Sequence, residues 1–262
     1  MPKTLTFNRR GFGGESDILT NDDLSRFIGL KREHETDITS FRLYQSIEPQ
    51  IEAGIEYPCA GGFFYDGRLK EGIIGLNENI VKDELGYHSK PFEEDASFIR
   101  SIKNEAWFAL PSPGSLGFVN QYYRDSPEFL EELCKIYNGI FRTMRDSGIK
   151  GHIIHAEQVD EIELELLSSR KVIFLAKNQA QEDLRLMLEY QKTIGLFCES
   201  IADLLPLFEE VKIHKIIPIG PDEGNIKDLL QWFDPENIEV GGYCSCDCSL
   251  YWKNLISGMI IP

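Results

Sequence analysis

The chain has 262 residues, enough for one large α/β domain that buries its core without disulfide staples. Asp and Glu total 43 against 27 Lys and Arg, a formal charge of -16, which works against sequence-independent binding to nucleic acid or anionic lipid. The longest apolar runs, such as KVIFLAK and ISGMIIP, fall short of the roughly 18 to 20 residues that a bilayer crossing needs. MPKTLTFNRR also lacks the apolar core of a signal peptide, so a cytoplasmic protein with neither nucleic-acid nor membrane partners is expected.

In chain order, TLTF (4–7) reads as a first strand, SFRLYQSIEPQIEAG (40–54) as a helix and GIEYPCA (54–60) as a second strand. Residues 61–104, with GGFFYDGRLKEG and KPFEEDAS, read as a long loop excursion, and long loops after barrel strands usually serve the site. AWFAL (106–110) is the third strand. Ser126 and Pro127 then open a helix that closes at Gly148. HIIHA (152–156), KVIFLA (171–176), TIGLFC (193–198), KIIPIG (215–220) and NIEVGGYC (237–244) are the remaining strands. The stretches VDEIELELLSS, AQEDLRLMLEYQK, SIADLLPLFEEVK and NIKDLLQWF have helical spacing and separate them. Eight strands, each followed by a helix, predict an α/β fold: a (β/α)8 TIM barrel forming a single domain over 1–262. A doubly wound open sheet is the alternative, but no GxGxxG or phosphate loop is present, and GFGGES near residue 11 has neither spacing.

In such a barrel the C-terminal strand ends carry the chemistry. Cys244, Cys246 and Cys248 alternate in GGYCSCDCSLYW, so an extended chain would put all three on one face, roughly 6.5 to 7 Å apart at Cα. Sulfur ligands lie about 2.3 Å from zinc, so two neighbours could converge, and three would require the strand to end or bulge within the motif. Metal binding, redox or nucleophilic work, and simple packing are the three readings; in a reducing compartment ligands or nucleophiles are favoured over a structural disulfide. Cys59, Cys134 and Cys198 stand alone and read as packing. Glu199 follows an apolar run and precedes a helix, as a mouth carboxylate or one favoured by the helix dipole. His152 and His155 flank one strand as wall residues or ligands, and Glu157 follows as a site carboxylate or a first-turn residue. LPSPGSLG offers backbone N–H groups and two hydroxyls, suited to a polar ligand or to a tight turn.

The order of these motifs resembles the catalytic barrel of the cobalamin-independent methionine synthase family, within the methionine synthase and uroporphyrinogen decarboxylase-like group. IEPQIEAGIEYPCAGGFFYDG looks like that family's helix and second strand, FALPSPGSL is similar to its Leu-x-Gly-Pro-x-Thr turn, and SGIKGHIIHAEQ resembles the strand ending in Asp-Glu-Pro. IGLFCESIADLL resembles the strand ending in a zinc-ligating glutamate, and GGYCSCDCSL the closing Asn-Pro-Asp-Cys-Gly-Leu with its ligand cysteine. The resemblance implies Glu199 and Cys248 as zinc ligands, with Cys246 or Cys244 replacing a His-x-Cys pair that FLAKNQ lacks. Among the family's amino acid-recognising positions only Glu157 keeps its type, since Gly62 and Ala156 stand where the family has acidic residues and IPIGPDEG has no histidine; Glu157 and His155 are the expected catalytic residues. The implied reaction moves a methyl group to or from a small thiol activated at zinc. Resemblance to the short, barrel-only versions implies a methylated corrinoid, carried by a partner protein, as donor. Two alternatives stand beside it: a non-catalytic paralogue that binds a small thiol, a corrinoid or a protein partner, and a metal-independent lyase or decarboxylase using Glu157, His155 and Arg68.

Overall fold

The computed structural model describes residues 5–14, 25, 27, 28, 37–201, 204, 207, 208, 211–245 and 248–257. The chain runs from β1 (Asn8–Gly14) through α1 (Ile38–Glu52) to β2 (Cys59–Gly61). It continues through α2 (Asp66–Gly72), a hairpin of β3 (Ile73–Asn77) and β4 (Ile80–Tyr87), and α3 (Ser89–Ile102). Then come β5 (Trp107–Pro111), the short β6 (Val119–Asn120), α4 (Ser126–Asp146), β7 (Gly151–Ala156) and α5 (Glu161–Leu167). The remainder is β8 (Val172–Ala176), α6 (Gln181–Tyr190), β9 (Thr193–Phe197), β10 (Lys215–Ile219), α7 (Glu223–Leu229), β11 (Glu239–Cys244) and α8 (Cys248–Ser257).

Two four-stranded sheets, ordered β1-β11-β10-β9 and β2-β5-β7-β8, carry the parallel strands, and β3-β4-β6 forms a separate small sheet. The edges of the two parallel sheets face each other at both ends: β1 lies against β2, with an Arg10–Tyr57 bridge, and β8 lies against β9. The eight strands thus follow chain order around the (β/α)8 arrangement that their spacing predicts. Six of the expected strands agree with the structure to within two residues at each end, and the first two do not: the second, expected over 54–60, is confined to Cys59–Gly61. TLTF gives way to NRRGFGG at Asn8–Gly14, a run too polar and glycine-rich to read as a strand. The 61–104 excursion is also more than a loop, since it contains α2, the hairpin and α3. The helix expected over SIADLLPLFEEVK lies partly outside the described residues; within it, Ile201, Leu204 and Leu207 are buried.

Neither junction between the sheets is closed by a continuous ladder, and buried amides left there need other partners. At the first, Tyr57 N–H donates to Arg9 O at 3.0 Å and Gly11 N–H to Tyr57 O at 2.9 Å. One step further along, the Gln50 side chain replaces the missing strand: Cys59 N–H donates to its Oε1 at 2.9 Å and its Nε2 donates to Cys59 O at 2.7 Å. Gly11 leaves the space, because a Cβ there would come within 1.9 Å of Gln50 Oε1. At the second junction Gln191 does the same for Phe174 of β8, accepting its N–H at 2.9 Å and donating to its carbonyl at 3.3 Å. Gln179 completes that seam, donating to Ala176 O and Gly195 O and accepting the Phe197 N–H at 2.8 Å.

The barrel interior is a packed apolar cluster of Phe12, Cys59, Trp107, Ala109, Ile153, Ile173, Leu175, Ile217 and Ile219. Phe12 is fully buried, and its ring fits because Gly195 and Gly241 carry no side chain: a Cβ at either would sit 2.9 or 3.1 Å from the ring. Below it Arg10 donates to Glu239 at 2.8 Å, with Lys215 on the other carboxylate oxygen. The Arg10 guanidinium lies 4.6 and 4.4 Å from the Tyr57 and Trp107 ring centroids. That pairing lets a charged residue occupy the inside of β1.

Replacing Gln50 or Gln191 by Leu orphans one buried N–H and one buried carbonyl, so each variant is expected to lose about 2 to 5 kcal/mol. Equilibrium urea unfolding measures it, and a loss below about 1 kcal/mol would show that the seams do not depend on these amides.

Candidate active site

The C-terminal strand ends form the barrel mouth, and His155 spans it. His155 is the penultimate residue of β7, 2% exposed, and its Nε2 lies 2.7 Å from Phe12 O on β1. A carbonyl oxygen only accepts, so Nε2 carries the proton. The ring sits between Phe63, edge-on at 5.2 Å, and Tyr243 at 5.3 Å. Burial pushes the imidazole down to about 4, so it is neutral at physiological pH. His152, at the other end of the strand, stacks on Phe141 at 4.3 Å and is held down to about 3 by burial.

Beside this crossbar a cavity of about 650 Å³ opens between the loops after β5, β7 and β8. Ser112, Gly114 and Ser115 form one wall, Glu157 and Asp160 another, and Lys177 and Asn178 a third. The Ser112 and Ser115 hydroxyls lie 2.9 Å apart, Ser112 N–H donates to His155 O at 2.8 Å, and Tyr137 Oη donates to Pro111 O at 2.8 Å. LPSPGSLG is therefore both a tight turn and a polar wall. Glu157 is exposed, 3.7 Å from Lys177 Nζ. The sequence-predicted pair is thus divided between two compartments: β7 ends at Ala156, so His155 stays inside the barrel while Glu157 turns out into the cavity.

Glu163 was not singled out by the sequence. It sits at the third position of α5 behind the N-cap Asp160, where a carboxylate ordinarily caps its own helix. Here it is 1% exposed and accepts the Gly114 N–H at 2.6 Å, and burial pushes its carboxyl up to about 7. The available signal was its place on the same helix stripe as buried Leu164 and Leu167. Arg68 lies elsewhere, on α2, where Asp95 at 2.9 Å, Asp37 and Glu71 engage its guanidinium.

The cysteine cluster departs from its expected geometry. β11 ends at Cys244 and α8 begins at Cys248, so the three cysteines do not continue along one extended face; Cys246 lies outside the described residues. Cys244 shares the outer face of β11 with Val240 and packs with Cys248, Trp252 and Leu255 in the layer beneath α8, while Tyr243 faces the barrel interior. Cys244 and Cys248 are joined in a disulfide, with Cα atoms 5.6 Å apart, where free thiols were expected. Glu199 is exposed on the turn Cys198–Ser200 after β9. Cys198 donates to Ile219 O at 3.1 Å, and burial pushes its thiol up to about 12. A disulfide offers no thiolate, so the donors as they stand do not fit a zinc ion, and no group of three His, Cys, Asp or Glu converges among the described residues.

No protein-family model and no curated protein matches the sequence. Solved structures do match the fold. A B12-independent methionine synthase from Shewanella sp. W3-18-1, in complex with selenomethionine, aligns with a TM-score of 0.68 and 14% identity over 97% of this chain and 96% of that one. The homocysteine methyltransferase MmuM from Escherichia coli aligns in its metallated form with a TM-score of 0.52 and 13% identity, over 96% of both chains. Its apo form gives 0.50 and 11%, over 96% of this chain and 95% of that one.

Buried His155 makes the mouth acid-sensitive. The folded-state value of His155 lies below its unfolded value near 6.5, so its contribution to stability is present above pH 6.5 and is lost as pH falls toward about 4. Full loss is worth on the order of 3 kcal/mol. Urea unfolding at pH 7 and pH 4.5 is expected to show a shallower decline for His155→Gln, which keeps a donor for Phe12 O without titrating. Equal slopes for the two proteins would refute the assignment.

Proposed function

We propose that the protein is a barrel methyltransferase that moves a methyl group to or from a small thiol. The observation that carries this reading is the end-to-end structural likeness to a methionine synthase complexed with selenomethionine, over 97% of this chain. The cavity suits the polar end of such a substrate: Lys177 and the Ser112 and Ser115 hydroxyls match a carboxylate, and Glu157 matches an ammonium group. Glu157 is the candidate proton acceptor in this reading, and neutral His155 holds the adjoining wall without adding charge. Zinc belongs to the reading only when the Cys244–Cys248 pair is reduced, as thiols are in the cytoplasm, the compartment we propose. Glu199, Cys248 and Cys246 are then the proposed donors, with Cys244 in reserve, and zinc would hold the substrate thiol as thiolate. The proposed methyl donor is a methylated corrinoid carried by a partner protein.

The disulfide favours a second reading, metal-independent acid–base chemistry in the same cavity. Arg68 has no part in it, since its carboxylate partners already hold it.

Reduced full-length protein, loaded with zinc and desalted, is expected to retain about one ion per chain, lost in Cys248→Ala and Glu199→Gln. Methyl transfer from methylcobalamin to homocysteine should fall by on the order of 10- to 100-fold in the same variants. A zinc-free but active wild type would support the second reading, and a reduced wild type with neither zinc nor transfer activity would overturn the first.

A further inference from the structure

We propose that Glu163 is the positioning residue of the mouth cavity: its carboxylate holds the turn after β5 through the Gly114 N–H, and protonation of that carboxylate loosens the turn. The inference rests on the cavity's geometry and stands whether or not the protein transfers methyl groups.

The turn Pro113–Leu116 supplies one wall of the cavity. Besides the Ser112 N–H donated to His155 O at 2.8 Å, three hydrogen bonds fasten it. Tyr137 of α4 donates to Pro111 O at 2.8 Å, the Glu157 N–H after β7 reaches Ser115 Oγ at 3.4 Å, and Glu163 of α5 accepts from Gly114 at 2.6 Å. The last is the only one of these three that ends on an ionisable acceptor. A glutamine could accept the same N–H without a buried charge, so a carboxyl here makes the fastening depend on a proton. Ionised, it forms a charge-assisted hydrogen bond; protonated, it is a weaker acceptor and must place a proton of its own. The fit is close on the other side as well, because a Cβ on Gly114 would lie 3.0 Å from Glu163 Oε1.

The charged and titratable groups around Glu163 are Asp160 at the start of its own helix, and Cys134 and Tyr137 on α4, with Glu131 beyond them. Glu157 and Lys177 face it across the cavity. Burial outweighs the Gly114 hydrogen bond and brings the carboxyl up to about 7, so the proton exchanges within the physiological range.

Backbone amide exchange over residues 112–117, corrected for intrinsic pH dependence, tests the proposal on the full chain. Protection is expected to fall about fivefold to tenfold as pH drops from 8 to 6, the difference between a charge-assisted and a neutral hydrogen bond. In Glu163→Gln it should be flat across that range. In wild-type protein, which removes any question of variant folding, the Gly114 amide shift and the Glu163 side-chain carboxyl ¹³C shift should titrate together. Gly114→Ala should reduce protection at pH 8 and keep the titration. A Gly114 amide with no step between pH 6 and 8, or a step that persists in Glu163→Gln, would overturn the proposal.

Discussion

An eight-stranded ring assembled from two four-stranded sheets has two seams, and every backbone group left unpaired at a seam is buried and costly. This protein satisfies those groups with glutamine side chains. Gln50 pairs with Cys59 and Gln191 with Phe174, each offering one donor and one acceptor as a neighbouring strand would, and Gln179 links Ala176 to Gly195 and Phe197. With both seams tied, the interior can be filled on its axis by Phe12, against Gly195 on β9 and Gly241 on the neighbouring β11. The mouth, the cavity and the strand ends all take their positions from that closure.

Closure also determines where polar chemistry can occur. The axis of the mouth is occupied by neutral His155, tied to Phe12 O and set between Phe63 and Tyr243, so the described polar space lies to one side, over β5, β7 and β8. Its walls combine hydroxyls, a lysine and carboxylates, and two of them are joined by Glu163. The same buried environment that lowers His155 raises Glu163, because burial disfavours whichever form carries charge. The exposed charges of this cavity include Glu157 and Lys177, which meet solvent at its rim, while Glu163 is enclosed.

The cysteines show how parity in a strand sets the surroundings of a side chain. Tyr243 faces into the barrel and Cys244 faces out under α8, a consequence of the two-residue period of β11. Cys248 opens α8 immediately after the last barrel strand, and in the disulfide its sulfur bonds Cys244 rather than being free for a ligand. Oxidation state thus decides whether this corner of the barrel is a packing element or a source of thiolates.

Most of the barrel was legible from residue pattern. The runs at 106–110, 152–156, 171–176, 193–198, 215–220 and 237–244 are short, apolar and β-branched because both faces of a parallel strand are buried, and that leaves a local record. The placement of His155 and Glu157 at a strand end was legible as well, since strand ends locate themselves. β1 was not, because Arg10 is inside only by virtue of Glu239, 229 residues away, and Gly11 only by virtue of Gln50. Glu163 and the three glutamines were hidden for the same reason: each is polar in sequence and buried because of a partner brought in by the fold. Residue pattern alone sets the rhythm of strands and helices, the acidic balance and the cluster of cysteines near the end. Which polar groups are enclosed, which face Cys244 takes and where the cavity opens depend on the packed fold, because the cost of burying a polar group depends on what it meets there.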